Sequence, residues 1–284
     1  MIGGMNLHAT YVALRCRAVE QTAEVFSRGL GLERREVSGV PVFAVGRTGL
    51  VLLDCDDGGK PGVDHVAFAG PADGAERDFR GAARAPLKGL DVRAFVTAPL
   101  ELPPPSGPVE RIDHLGVAVA DVDACAADWS GRLGFPLESR QTDVEVVTAI
   151  ESFTSDKYGV VYHSRAPQPV AGVVSAFVTV GDFELEFLTG LDPGQLGEVD
   201  HGRSGTTRQD HGAIARFVAS RGGGLHHIAF KTADIDAMLA RCAAAGLRTI
   251  DRKGRPGGRA SRIGFIHPSS LGGVLAHFVE RTEK

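Results

Sequence analysis

Three histidines and two glutamates stand in stretches that otherwise read as buried strands. His114 lies in RIDHLGVAV, Glu184 and Glu186 in FELEFL, His227 in GLHHIAF, and His277 in GVLAHF. A buried polar group needs a partner, and imidazole and carboxylate together suit a divalent Fe, Co, Ni, Mn or Zn ion. Taken singly, each histidine reads more readily as a core or surface residue bonded to backbone. Four positions at matching places of a repeated unit favour a shared cation instead. His114, Glu186 and His227 are the expected ligands. His277 is a fourth ligand or, with a pKa near neutrality, a base. Glu184, on the same face as Glu186, is the second candidate for proton transfer. Strand neighbours point to opposite faces, so of His226 and His227 one should enter the interior and the other leave it.

These side chains must be positioned by something that repeats. Tyr11–Leu14, a helical stretch to Phe26 and Gly29–Leu32 align without a gap, at an offset of 103, with His114–Val117, a helix to Trp129 and Arg132–Phe135. VDHVAF at Val63–Phe68 matches LHHIAF at Leu225–Phe230, and helical stretches follow at Ala72–Arg84 and Ala233–Ala245. Four strand-helix-strand-strand-strand units emerge, near 6–56, 62–102, 110–192 and 222–281. LPPPSGP divides them two and two, and its prolines favour an extended spacer. The expected domains are 1–102 and 110–284, joined by a linker at 103–109. Two such units can bury their apolar faces together and turn their inward side chains toward one cleft.

In the first pair the site is emptied. Tyr11 stands where His114 does, Leu53 where Glu186 does and Ala94 near the place of His277. His65 remains as the one ligand type, and one imidazole will not hold a metal.

The chain of 284 residues is 43% hydrophobic and 23% charged with a formal charge of -4, so it has no general attraction for nucleic acid or an anionic membrane. Four scattered cysteines without a CxxC pair, and a start MIGG without signal-peptide regions, lead us to expect a reduced cytoplasmic protein. No apolar run approaches the roughly 20 residues that cross a bilayer.

Other polar stretches have plainer readings. Val144–Val147 through Val160–His163 reads as extra or lengthened strands in a solvated hairpin, with Glu145, Glu151 and His163 as spare acids or bases. Asp200–His211 is a glycine-rich surface loop that could serve as a lid. Lys253–Arg259 is a basic glycine-rich turn that could grip an anionic substrate group, a weak signal because it lacks the strand-to-helix context of phosphate loops. Asp54–Asp57 is a turn.

IDHLGVAV, VGDFELEFL, GGGLHHIAFKTADIDA and IGFIHPSSLGGVLAHFVE resemble the vicinal oxygen chelate superfamily of glyoxalases and dioxygenases. Within it, residues 111–281 look most like methylmalonyl-CoA epimerase. The resemblance implies an α+β fold of four βαβββ units in two glyoxalase-like domains, with metal at His114, Glu186, His227 and His277. It departs at His277, where epimerases carry glutamate, and at Pro268-Ser269-Ser270, where they commonly have Pro-Lys-Ser. The expected function is a metal-dependent epimerase, isomerase or lyase that stabilises the enolate of a small carbonyl or carboxylate substrate. An Fe(II) dioxygenase using His114, His227 and Glu186 is the alternative, and a metal-free resistance protein that binds a small molecule is the third reading. A homodimer is left open.

Overall fold

A computed structural model of the chain describes residues 8–56, 58–69, 92–147, 150–157, 159–164, 168–191 and 212–282. Its elements run β1 (His8–Cys16), α1 (Val19–Arg28), β2 (Arg34–Val37), β3 (Val40–Val45), β4 (Thr48–Asp54), β5 (Gly62–Ala69) and β6 (Ala94–Thr97). They continue through β7 (Val109–Ala118), α2 (Val122–Leu133), β8 (Leu137–Val147), β9 (Ile150–Ser155), β10 (Gly159–Ser164), β11 (Gln168–Val180) and β12 (Phe183–Leu191). Last come α3 (Ala213–Arg221), β13 (Gly224–Thr232), α4 (Ile235–Ala244), β14 (Arg255–Pro256), β15 (Arg262–Ile266) and β16 (Ala276–Glu280).

Two sheets carry the fold, ordered β2-β3-β4-β1-β5-β6 and β14-β15-β16-β13-β7-β12-β11-β8. In every unit the first strand runs parallel to the last: β1 to β4, β5 to β6, β7 to β12 and β13 to β16. The first strands of paired units, β1 with β5 and β7 with β13, lie antiparallel in the interior of each sheet. The fold is therefore α+β, with the paired arrangement expected. The helix expected at Ala72–Arg84 and the loop Asp200–His211 lie outside the described residues.

Local sequence explains the helices. Asp121 and Asp234 cap α2 and α4 by accepting from the N–H groups of Ala124 and Ala237. Val122, Cys125, Ala126 and Trp129 then form one buried stripe, and Ile235, Met238, Leu239 and Cys242 another, at the spacing of a helix face. Gly134 ends α2 at φ +75°, a conformation that glycine adopts without strain. Gly29 ends α1 differently, at φ -74°. There a Cβ would lie 2.8 Å from the Val25 carbonyl oxygen and 3.0 Å from Leu247, so close packing is what favours glycine.

Alternation along each strand divides the side chains. Val12 and Leu14 enter a large core that also takes the helices and the helix-bearing face of the second sheet, while Tyr11 and Ala13 join a small cluster on the opposite face. The large core spans both halves, with Phe26 packed on Phe43 and Phe230, and Phe68 on Trp129 and Phe135. The helix-bearing faces thus bury one another, and the opposite faces are free to differ.

The stretch leading into the prolines is more than a spacer. Leu100 and Leu102 pack on the opposite face of the first sheet, and the Leu100 N–H donates to Thr10 Oγ1 at 2.7 Å. The expected lengthened strands are β8 and β11, with β9 and β10 paired as a separate hairpin that sets His163 opposite Glu151 in register. The side chains of Glu145, Glu151 and His163 lie outside the described set. Asp54 forms a turn, accepting from the Asp56 N–H at 3.3 Å. The closing strand begins at Ala276 rather than Gly273, because Gly272 and Gly273 sit at φ +61° and +99° in the preceding turn. Among the described residues no helix is long and apolar enough to cross a membrane.

Candidate metal centre

Strand register brings the polar side chains into one place. On β7, Gly116 lies opposite Glu186 of β12 on one side and His227 of β13 on the other. His114 lies opposite Ala229, which in turn pairs with His277 of β16. The centroids of the three imidazoles are 5.4, 5.1 and 5.1 Å apart, and one nitrogen from each lies within 4.8 Å of the others. Glu186 Oε2 is 3.4 Å from both His114 Nε2 and His227 Nε2. Gly116 makes this possible, since a Cβ there would fall inside the His227 ring. The sequence signal for that role was the alternation His114, Gly116, Ala118 on one face.

The donor set suits a divalent cation. His114, His227 and His277 are buried, and His227 Nε2 and His277 Nδ1 have no hydrogen-bond partner among the described residues. Such orphaned groups cost about 1–3 kcal/mol each when nothing satisfies them. A cation among them would be met by imidazole nitrogens and one carboxylate, a set typical of Zn, Fe, Co, Ni or Mn.

Electrostatics prepares the nitrogens as donors. Burial pushes the pKa of His277 well down, and the neighbouring His227, His114 and Arg255 add to the effect. Burial also lowers His227, against the opposing pull of Glu186. The Glu186 carboxyl is raised by burial, but the nearby His227, His114 and Arg259 outweigh this and hold it below its usual value.

Around these groups lies a frame that the sequence alone did not disclose. Fully buried Asp113 accepts from His114 Nδ1–H at 2.7 Å, which leaves Nε2 to face Glu186. Burial alone would raise the Asp113 carboxyl. The His114 hydrogen bond and the charges of His114, Arg281 and Arg111 hold it down at about 2. Glu184 is not free beside the centre; its carboxylate lies 2.6 Å from Arg259 and 3.6 Å from Arg281. The basic turn is equally engaged. Arg259 lies 3.6 Å over Phe177, whose ring meets His114 edge-on, and Arg255 covers Phe265, whose ring packs on His277. Asp143 of β8 also went unnoticed. Its carboxyl is raised, first by burial and then by the charge of Glu186.

His226 and His227 depart from strict alternation. The register shifts between Leu225 and His227, and the bulge leaves His226 Nδ1 3.0 Å from His227 Nδ1. Burial, then the charge of His227, lower His226 to about 3.

Register also corrects the counterparts in the first sheet. Ala13 pairs with both His65 and Val51, as Gly116 does with His227 and Glu186, so Val51 and not Leu53 stands at the place of Glu186. Phe95 pairs with Ala67 as His277 does with Ala229, so Phe95 and not Ala94 stands at the place of His277. The insertion in the third unit defeats counting from the first, and between the second and fourth units the one-residue slip from Phe95 to Ala94 puts the side chain on the wrong face.

Comparison with known proteins finds relatives of one kind. The ethylmalonyl-CoA/methylmalonyl-CoA epimerase of Cereibacter sphaeroides is 25% identical over 59% of this chain and 95% of its own length. The human mitochondrial methylmalonyl-CoA epimerase is 25% identical over 58% of this chain and 70% of its own. A crystal structure of methylmalonyl-CoA epimerase from Mycobacterium tuberculosis is 26% identical, covering 64% of this chain and 94% of that one, with a TM-score of 0.41. A family model matches residues 113–265, the span from the carboxylate behind His114 to the ring that packs on His277, and with that match the chain belongs to the glyoxalase/bleomycin resistance protein/dioxygenase superfamily.

Proposed function

We propose that the C-terminal sheet, beyond a domain boundary at 103–109, holds a divalent cation on His114, Glu186, His227 and His277 and catalyses proton exchange beside a carbonyl group. The observation that carries this reading is the convergence of three buried imidazoles and a carboxylate, with two imidazole nitrogens that have no hydrogen-bond partner among the described residues. A divalent ion held there supplies Lewis acidity toward a carbonyl or enolic oxygen.

The chain's own groups do the rest. Asp113 fixes the ring of His114, and burial keeps His227 and His277 neutral and able to donate lone pairs. The low proton affinity of His277 favours the ligand over the base among its two roles. Glu184, clamped by Arg259 and Arg281, acts in the frame and not in proton transfer. Asp143, half-buried near Glu186 and accepting from Gln141 Nε2–H at 3.2 Å, has its carboxyl raised by burial and by the charge of Glu186 and is the candidate to take up the proton. The kinship with epimerases supports an α-acidic acyl substrate such as a 2-substituted malonyl thioester.

The test is metal analysis after metal-replete purification, followed by mass spectrometry of such a thioester in deuterated solvent. We expect one bound ion per chain and metal-dependent uptake of a single deuteron without oxygen consumption. Asp143→Asn should slow the exchange while retaining the ion. Oxygen consumption would transfer the assignment to a dioxygenase, and a chain that holds no ion while binding a small ligand would transfer it to a sequestering protein.

A further inference from the structure

The structure assigns His226 as the positioning residue that sets the tautomer of His227; the inference rests on the reading of His227 as a metal ligand. The Nδ1 atoms of the two rings are 3.0 Å apart, with the ring planes crossed at 85°. Two imidazole nitrogens at this distance share one proton, so one donates and the other accepts.

The two arrangements have opposite consequences. If His226 donates, neutral His227 carries its proton on Nε2, directed at Glu186 Oε2 3.4 Å away, and no lone pair faces the centre. If His227 donates, Nε2 is bare and able to ligate. His227 is therefore competent only while His226 accepts at Nδ1 and keeps its own proton on Nε2.

His114 meets the same requirement through Asp113, whose carboxylate can only accept. His227 has instead a partner able to play either part, so a cation at the centre selects one tautomer for both rings together. The geometry holds His226 to this task. The bulge after Leu225 brings it alongside His227, and Phe217 of α3 meets its ring edge-on at 4.6 Å and 86°. On the other side of His227, Gly116 leaves the space into which that ring is turned.

The test compares Zn2+ affinity, by competition with a chromophoric chelator, in the full-length protein and two variants. His226→Phe keeps an aromatic ring against Phe217 and removes the acceptor. His226→Asn places an amide oxygen near the position of Nδ1. We expect His226→Phe to weaken Zn2+ binding by about 10- to 100-fold, the usual effect of losing a partner of a ligating histidine, and His226→Asn to recover most of the affinity. In the Zn2+-loaded protein, long-range 15N–1H spectra should show Nδ1 protonated in His227 and bare in His226. Unchanged affinity in His226→Phe, equal weakening in both variants, or a protonated Nδ1 on His226 would overturn the assignment. A wild-type chain that takes up no Zn2+ would instead overturn the metal reading beneath it.

Discussion

The opposite faces of the two sheets have the same register and contrasting contents. Where the second sheet has His114, Gly116, Glu186, His227 and His277, the first has Tyr11, Ala13, Val51, His65 and Phe95. On this face of the first sheet, His65 finds both partners inside the protein. His65 Nδ1 lies 2.6 Å from Asp64 Oδ2, and Nε2 is 3.4 Å from the Tyr11 hydroxyl. Leu100 and Leu102 then close the face with apolar packing. The second sheet has His226 at the place of Asp64 and carries its Asp-His pair in the other unit, as Asp113 and His114, amid polar groups that find no partner among the described residues. An aspartate beside a histidine is thus common to both sheets, and what separates them is whether the neighbouring groups complete the imidazole or compete for something further.

The largest expected effect breaks this comparison if it fails. His114→Ala or His227→Ala should reduce Zn2+ affinity by at least about 100-fold, beyond the 10- to 100-fold typical of losing only a ligand's partner, while His65→Ala leaves it unchanged. Isothermal titration of the three proteins would show it, and loss of binding in His65→Ala would unite the two faces. Next, Leu100→Ala should destabilise the protein by about 2–4 kcal/mol in denaturant unfolding, as large-to-small core changes do, with Zn2+ affinity preserved. A smaller effect is expected at the glycine that separates the faces. Gly116→Ala should displace the His227 ring and weaken Zn2+ by about tenfold, whereas Ala13→Gly should cost only about 1 kcal/mol of stability.

The smallest effect concerns acid. Asp64 is buried, which raises its carboxyl, but hydrogen bonds from His65 and Arg15 and the charges of His65 and Arg93 prevail and lower it. A carboxyl lowered by folding stabilises the native state above its unfolded pKa of about 3.9, and that contribution disappears as pH falls through the folded value. Asp64→Asn should therefore lower stability by about 1–2 kcal/mol at neutral pH, with the difference from wild type shrinking below about pH 4. A difference that grows on acidification would contradict the sign.

Much of the site was legible because strands impose a period of two. His114, Glu186, His227 and His277 were visible as polar residues at mid-strand positions. Asp113, Arg259 and Arg281 were not legible, because a charged residue in sequence carries no sign of whether it will be buried beside another. Val51 and Phe95 were missed for a different reason. Offsets between repeats fail across an insertion, and only strand pairing decides which residues lie opposite. Arg259 looked like a free anion hook in its turn, yet the fold lays it on Phe177 and pairs it with Glu184.

The sequence by itself determined the repeating units, their helices and the polar residues of the inner strands, since propensity, capping and periodicity act over a few residues. Only the tertiary structure decided that two strand pairings meet at Gly116, that a bulge turns His226 onto His227, and that three arginines close around Glu184 and the aromatic walls. Those outcomes depend on register and on burial shared between distant segments, and neither is carried by the local order of the chain.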